Sequence, residues 1–469
     1  MKFDDLNRLF MDKAGFPRFI LLFVAAASFF YVAATIVSAR GIYYLLVLAV
    51  VVSYFLFLVF QLVMHQKFSI VHPVVIYLLW REFLLGVTGD YFLLFSLDEI
   101  KTAVGTFYND DAAEIVIKLF LLKLLSLVSF LIGFYSIKKF YIKRYLGSRF
   151  EIKSLTLKVL GVTLICVILV LYLSSMVGGI EGLLNQRNVV YSERVSHTMG
   201  GHYHAIVRAM PMLFVLILCV EFKYLRNYLF LSSLVIVYIC VFLATGNRSV
   251  IFTSVLMIVV LYLLNSSKVN WKRIISVGLV IFISFGFLGK IRSSGGSGDQ
   301  GLYDSLVFTY NELKDRAVYV NGTIPILAKV PHEVDWLYGR SYLSVPFVFV
   351  PGVFLPFEKP AAGGRITTEL IYGRDDTGIP PLPIGEAYWN FGGFGVFFVY
   401  FMLGVIIKVF YNQLKRSPRA PIVKYIYIYS VVSLSLSSDG MYNLFQFLVI
   451  SVVFYMAMIF GGPRKRSRG

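Results

Sequence analysis

The sequence predicts an all-α integral membrane protein, a bundle of about twelve transmembrane helices with one long extracytoplasmic loop. Three observations carry that prediction. First, the 469 residues are 58% hydrophobic and only 15% charged, with a mean hydropathy of +0.76. A water-soluble fold of this length needs far more charge on its surface. Second, apolar runs recur at the roughly 20 residues that a helix needs to cross about 30 Å of hydrocarbon. Third, the basic clusters fall in every second connection between those runs, the pattern that sorts Lys and Arg to the cytoplasm.

The runs lie near 19–38, 42–63, 70–87, 113–137, 157–177, 205–220, 228–244, 250–264, 274–288, 384–410, 421–436 and 442–460. The third is interrupted by Arg81 and Glu82 and followed by Asp90. Lys67, Lys138 to Arg149, Lys223 with Arg226, Lys268 to Arg273, Lys415 to Arg419 and Arg464 to Arg468 mark one side. With an even count of spans, both termini lie on that cytoplasmic side. Facing outward are the acidic connection 90–114, the loop 178–204, the tight TGNR turn 245–248, the long stretch after Leu288, and SSDG at 437–440. The chain therefore divides into a bundle over 1–288, an extracytoplasmic loop over 289–384 and the last spans with a basic tail over 385–469. This charge placement accounts for the net +18 without nucleic acid. Cys166, Cys219 and Cys240 sit inside apolar runs without metal-ligand spacing, which predicts buried small side chains and no disulfide frame. The N-terminus carries acidic residues and no small-residue cleavage site before its first run, unlike a removed signal peptide.

The loop 289–384 and the turn that ends it hold most of the groups suited to chemistry. Arg292, Arg316, Arg340, Arg365 and Arg374 accompany Glu358 and Glu386 there. The proline-rich, aromatic segment 346–360 suits an interfacial or re-entrant element, because proline removes backbone donors. Glu386 stands in PIGEAYWNFGGFG, where the chain re-enters the bilayer. Desolvation there makes a carboxylate a better proton acceptor, as a general base requires; the competing reading is a structural partner for a loop arginine. Arg248 lies between two closely spaced apolar runs. It reads either as a helix-end arginine reaching for the interface or as a bidentate ligand for a phosphate. Arg187, Arg194, His197, His202, His204 and Arg208 crowd the outward loop and its end, against the positive-inside preference. His202 and His204 would face one way on a strand, and the histidines do not fit a helical zinc motif. The pair Asp375 and Asp376 reads as solvated. Walker-type, HExxH and GxSxG signatures are absent from the sequence, so neither a metal nor a nucleotide cofactor is expected.

Together the pieces resemble a known family. Gly178-Gly179 opening a basic outward loop, Thr245 to Arg248, Ile291-Arg292, the proline segment 351–360, and G-E-x-Y-x-N-F-G-x-x-G over 385–395 are similar to the Wzy-type O-antigen polymerases, also called oligosaccharide repeat unit polymerases. The resemblance implies a GT-C-like, metal-independent and inverting glycosyltransferase of the bacterial inner membrane. It would move a growing glycan from polyprenyl diphosphate onto a new lipid-linked unit at the outer face, with a flippase and a chain-length regulator as partners. In that chemistry Arg248, Arg292, Arg194, Arg187, Arg365 and Arg340 take the diphosphate, and Glu386, with His204 as substitute, takes the acceptor proton. An O-antigen ligase and a flippase or other transporter are the rival readings. The ending of the 385–395 motif favours the polymerase over the ligase, and the lack of two related halves argues against the transporter.

Overall fold

A computed structural model describes residues 42–65, 71–95, 99–102, 105–138, 155–176, 200–245, 248–266, 321–347, 363–374 and 378–460, with isolated positions between them. In chain order the helices are α1 (Ile42–Met64), α2 (Pro73–Ile76), a π-helical stretch (Tyr77–Val87), α3 (Thr88–Phe95), α4 (Asn109–Ser136), α5 (Leu155–Met176) and α6 (Gly200–Val220). After a 3-10 turn (Phe222–Arg226) come α7 (Tyr228–Thr245), α8 (Arg248–Asn265), α9 (Thr323–Lys329), a 3-10 helix (Arg340–Phe347), α10 (Gly363–Tyr372), α11 (Pro383–Arg416), α12 (Pro421–Val432) and α13 (Ser438–Phe460). A two-stranded hairpin, β1 (Glu99–Lys101) and β2 (Thr106–Tyr108), pairs antiparallel with Ile100 opposite Phe107.

Among the described residues, four helices are long and apolar enough to cross a membrane: Leu46–Met64, Asp111–Ser136, Thr156–Met176 and Pro383–Arg416. Shorter apolar helices occupy Ile206–Val220, Tyr228–Ala244, Val250–Asn265 and Pro421–Val432. Each coincides with a run read from the sequence. The first run and the ninth, 274–288, lie outside the described residues. The three cysteines are buried and free.

Two expectations are corrected. The acidic connection 90–114 is not one loop, because Asp90 is the third residue of α3, and Glu114 lies in the first turns of α4. Among the described residues between them, the hairpin is the extended part. Likewise the loop 178–204 ends earlier, since α6 starts at Gly200 and makes His202 and His204 helical, not strand residues.

The described residues fall into two compact units. One draws on Met1–Tyr141, Asn311–Asn412 and Ser430–Tyr442; the other draws on Ile142–Tyr310, Gln413–Tyr429 and Asn443–Gly469. In the first unit, charges that interrupt the third apolar run all find partners. Asp90 pairs with Lys123 of α4, a buried ion pair. Tyr54 of α1 donates its hydroxyl to Glu82 Oε2 at 2.8 Å, and Arg81 donates to the Leu434 carbonyl at 2.6 Å. Intramembrane charges are costly and persist where they are paired inside the protein, which explains how a run holding Arg81 and Glu82, with Asp90 just after it, packs.

The same unit shows how α4 and α11 approach. A Cβ on Gly133 would lie 2.0 Å from the Phe401 carbonyl oxygen, and one on Gly404 would lie 2.2 Å from that of Phe130. Each glycine thus admits the other helix's backbone, the small-residue packing that substitutes for hydrophobic drive in lipid. Replacing Gly133 or Gly404 with Val is expected to force the helices apart at a cost of about 1–3 kcal/mol or more. A lower unfolding midpoint and a lower yield of detergent-solubilised protein would report it. Unchanged values in both variants would show that the two helices do not need this approach.

In the second unit, α5, α6, α7 and α8 are apolar helices with buried inward faces. Phe214 of α6 and Phe230 of α7 pack with ring centroids 5.2 Å apart, and Ser254 of α8 donates to Tyr238 of α7 at 3.0 Å. Lys424 of α12 donates to Asn265 at the end of α8 at 2.9 Å.

Candidate active site around Glu386

The motif over 385–395 folds as a sequence of separate structural tasks. Gly385 lets α11 start against α9, where a Cβ would meet Thr323 Oγ1 at 2.9 Å. Trp389, 1% exposed, donates its indole N–H to the Asp335 carbonyl at 3.0 Å, and its own carbonyl accepts the Leu337 N–H at 3.0 Å. Asn390 lies four residues after Glu386 and therefore on the same helix face. Its Oδ1 accepts the Gly339 N–H at 2.8 Å, while Nδ2 donates to Ser341 Oγ at 2.9 Å and to the Glu386 carbonyl at 2.7 Å. One amide side chain thereby ties the Gly339 turn and the start of the 3-10 helix to α11. At Phe391 and Gly392 the helix breaks, and Gly392 adopts φ 62° and ψ −151°. That region belongs almost entirely to glycine, so the NFGG sequence encodes the kink.

Glu386 itself is 0% exposed. Its Oε2 accepts the backbone N–H of Ser438, the first residue of α13, at 2.9 Å. A free N–H at a helix start welcomes a negative charge, so the carboxylate serves as the cap of α13. The Ser438 hydroxyl accepts the Gly363 N–H at 3.2 Å, which brings the start of α10 to the same place. Oε1 is buried and has no hydrogen-bond partner among the described residues, although the Ser341 hydroxyl lies close to the carboxylate. Four elements therefore meet at one carboxyl group: α11, the 3-10 helix, α10 and the start of α13.

Gly363 is required by this crowding. A Cβ there would lie 2.5 Å from Ser438 Oγ and 3.1 Å from Glu386 Oε1. At Gly364 the nearest atom would be Asp439 Oδ2 at 3.6 Å, an ordinary contact. Gly363→Ala is accordingly expected to cut chain elongation at least roughly tenfold by displacing the carboxylate from its working geometry, whereas Gly364→Ala keeps most of it. Rates measured on the two variants side by side check this, and equal rates would contradict the crowding argument.

The arginines read from the sequence distribute unevenly. Arg340 and Arg365 are exposed, and stand one residue before Ser341 and two residues after Gly363, on the short elements that enclose Glu386. Arg248 begins α8 in the second unit, with its side chain outside the described residues. His204 lies in α6 of that unit, and its side chain is likewise not described. Arg187, Arg194 and Arg292 lie outside the described residues, as do Asp375, Asp376 and most of the proline segment 346–360. Sequence reasoning missed Ser341, Tyr342, Gly363, Asn390 and Ser438. For Asn390 a signal existed in its i+4 spacing from Glu386. Ser438 was visible only as part of an outward turn, because nothing in the sequence brings positions 386 and 438 together.

Within the described residues a buried carboxylate lies among α10, α11, the 3-10 helix and the start of α13, in a chain with helices long and apolar enough to cross a membrane. The family model described as O-antigen polysaccharide polymerase Wzy matches residues 18–464, nearly the whole chain, and the chain belongs to that family. It polymerises O-antigen repeat units. No curated protein and no solved structure matches the chain.

Proposed function

We propose that the chain transfers a growing glycan from its polyprenyl diphosphate carrier to a hydroxyl of the next lipid-linked repeat unit, at the outer face of the bacterial inner membrane. The observation that carries this reading is the division of labour on Glu386, where Oε2 is held by Ser438 and Oε1 has no hydrogen-bond partner among the described residues. A general base needs that arrangement, with one oxygen fixing the group and the other meeting the proton. The acceptor hydroxyl gives its proton to Oε1 as its oxygen bonds the anomeric carbon. The bond from that carbon to the diphosphate breaks, and the diphosphate leaves with the electron pair. Such a direct displacement inverts the anomeric configuration. Guanidinium groups neutralise the leaving charge without a metal: Arg248 and Arg292 first, then Arg194 and Arg187, with Arg340 and Arg365 on the Glu386 side. His204 is the substitute base.

This reading keeps the arrangement of about twelve spans with both termini cytoplasmic, and the organisation of 1–288 as bundle, 289–384 as outward loop and 385–469 as last spans. A flippase that supplies units and a chain-length regulator are the partners such an activity calls for. Purified protein given defined lipid-linked repeat units tests it. A ladder of lengthened glycans with inverted linkages is expected. A single addition to a lipid core, or movement of units without lengthening, would replace the polymerase with a ligase or a transporter.

A further inference from the structure

Beside Glu386 stands a second polar group that the proposed mechanism does not use. Among the described residues the buried Tyr342 hydroxyl has no hydrogen-bond partner, and neither has Glu386 Oε1. Asn390 bonds both the Glu386 carbonyl and Ser341 Oγ, next to Tyr342 in the chain, which brings the two groups to one place; burial and the neighbouring carboxylate both push the Tyr342 phenol up. Tyr342 is also held firmly. Its N–H donates to the Gly339 carbonyl at 3.0 Å, and Asn390 holds both Gly339 and Ser341 just before it in the chain. Buried polar groups normally find partners, so these two neighbouring atoms call for a ligand that satisfies both.

An alcohol has the complementary groups. It offers one O–H to donate and two lone pairs to accept. We infer that Tyr342 and Glu386 form a two-point clamp for one hydroxyl of the acceptor sugar, and that Tyr342 selects which hydroxyl is glycosylated. The seated hydroxyl donates to Glu386 Oε1 and accepts from the Tyr342 phenol through one lone pair. Its second lone pair remains free to attack the anomeric carbon. The proton ends on Oε1, the new bond joins acceptor oxygen and anomeric carbon, and the diphosphate departs with its electron pair. This inference rests on Glu386 as the base. It goes further in giving the enzyme's choice of linkage to a specific side chain, because a site built to bond one hydroxyl discriminates against displaced ones.

Tyr342→Phe keeps the ring and removes the clamp's donor. With the purified full chain and defined lipid-linked units, this variant is expected to show a KM for the acceptor raised roughly 10- to 100-fold and a product containing more than one linkage where the unaltered chain makes one. Incorporation of 3-fluorotyrosine at 342, which retains the hydroxyl, should restore the single linkage and serves if the Phe variant folds poorly. Unchanged KM and linkage in Tyr342→Phe, beside an inactive Glu386→Gln variant, overturn the role of Tyr342 alone. Full activity in Glu386→Gln overturns the base assignment and the clamp with it.

Discussion

Replacing Glu386 with Gln is expected to abolish long glycans while leaving the protein inserted and abundant. The side-chain carbonyl of Gln can still accept the Ser438 N–H that Oε2 accepts at 2.9 Å, so the cap of α13 survives. The atom in the position of Oε1 becomes, in the productive rotamer, an amide that cannot take a proton. General-base catalysis contributes about 10²- to 10⁴-fold, and kcat should fall by that order. Glu386→Ala differs in a useful way, because it also removes the cap and should cost a further 0.5–2 kcal/mol or about that in stability. A rate defect in both variants with a stability defect only in Ala separates catalysis from architecture. A ladder of normal length from Glu386→Gln would remove the carboxylate from the mechanism.

The second large effect is expected at Arg248. Arg248 opens α8, an 18-residue apolar helix, so the N–H groups of its first turn and a residue of permanent positive charge belong to one helix end. Both favour a phosphate, the first through the helix dipole and the second through a bidentate fork. Arg248→Ala should leave insertion intact and stop elongation. Arg248→Lys should retain charge yet lose roughly 10- to 100-fold in rate, since a point charge does not reproduce the fork and a hydrogen bond to a charged group contributes about 1.5–3 kcal/mol. Normal chain lengths in both variants would move the diphosphate elsewhere. Labelling of engineered cysteines supplies an independent check, because positions 248 and 386 must be accessible from one face of the membrane for both to serve one substrate.

Much of the bundle was legible because a bilayer imposes a one-dimensional rule: a helix must be long and apolar enough, and charge must fall between such helices. The ranges of α1 and α5 follow from that rule to within two residues, while α4 starts four residues earlier and α11 ends six residues later than their apolar runs. The π-helical stretch and α3 were obscured because Arg81, Glu82 and Asp90 look incompatible with a span when read alone. Their compatibility comes from Leu434, Tyr54 and Lys123, which lie 28 to 353 positions away in sequence. The site divides in the same way. Glu386 was legible because local sequence, a carboxylate between prolines and glycines at an apolar boundary, implies desolvation. Gly363, Ser341 and Ser438 were not, because their importance lies in converging on that carboxylate from separate parts of the chain. Short polar stretches carry too little periodicity to predict such convergence.

Complete enclosure of Glu386 also bears on which nucleophile wins. Water at bulk concentration competes with a sugar alcohol for an activated anomeric carbon, and each success by water ends a chain and wastes a carrier. In the proposed mechanism, a base shielded by Gly363, Ser341 and the first residue of α13 offers small molecules no standing supply of activated hydroxide. Opening of that enclosure by the incoming glycan itself would then favour elongation over hydrolysis.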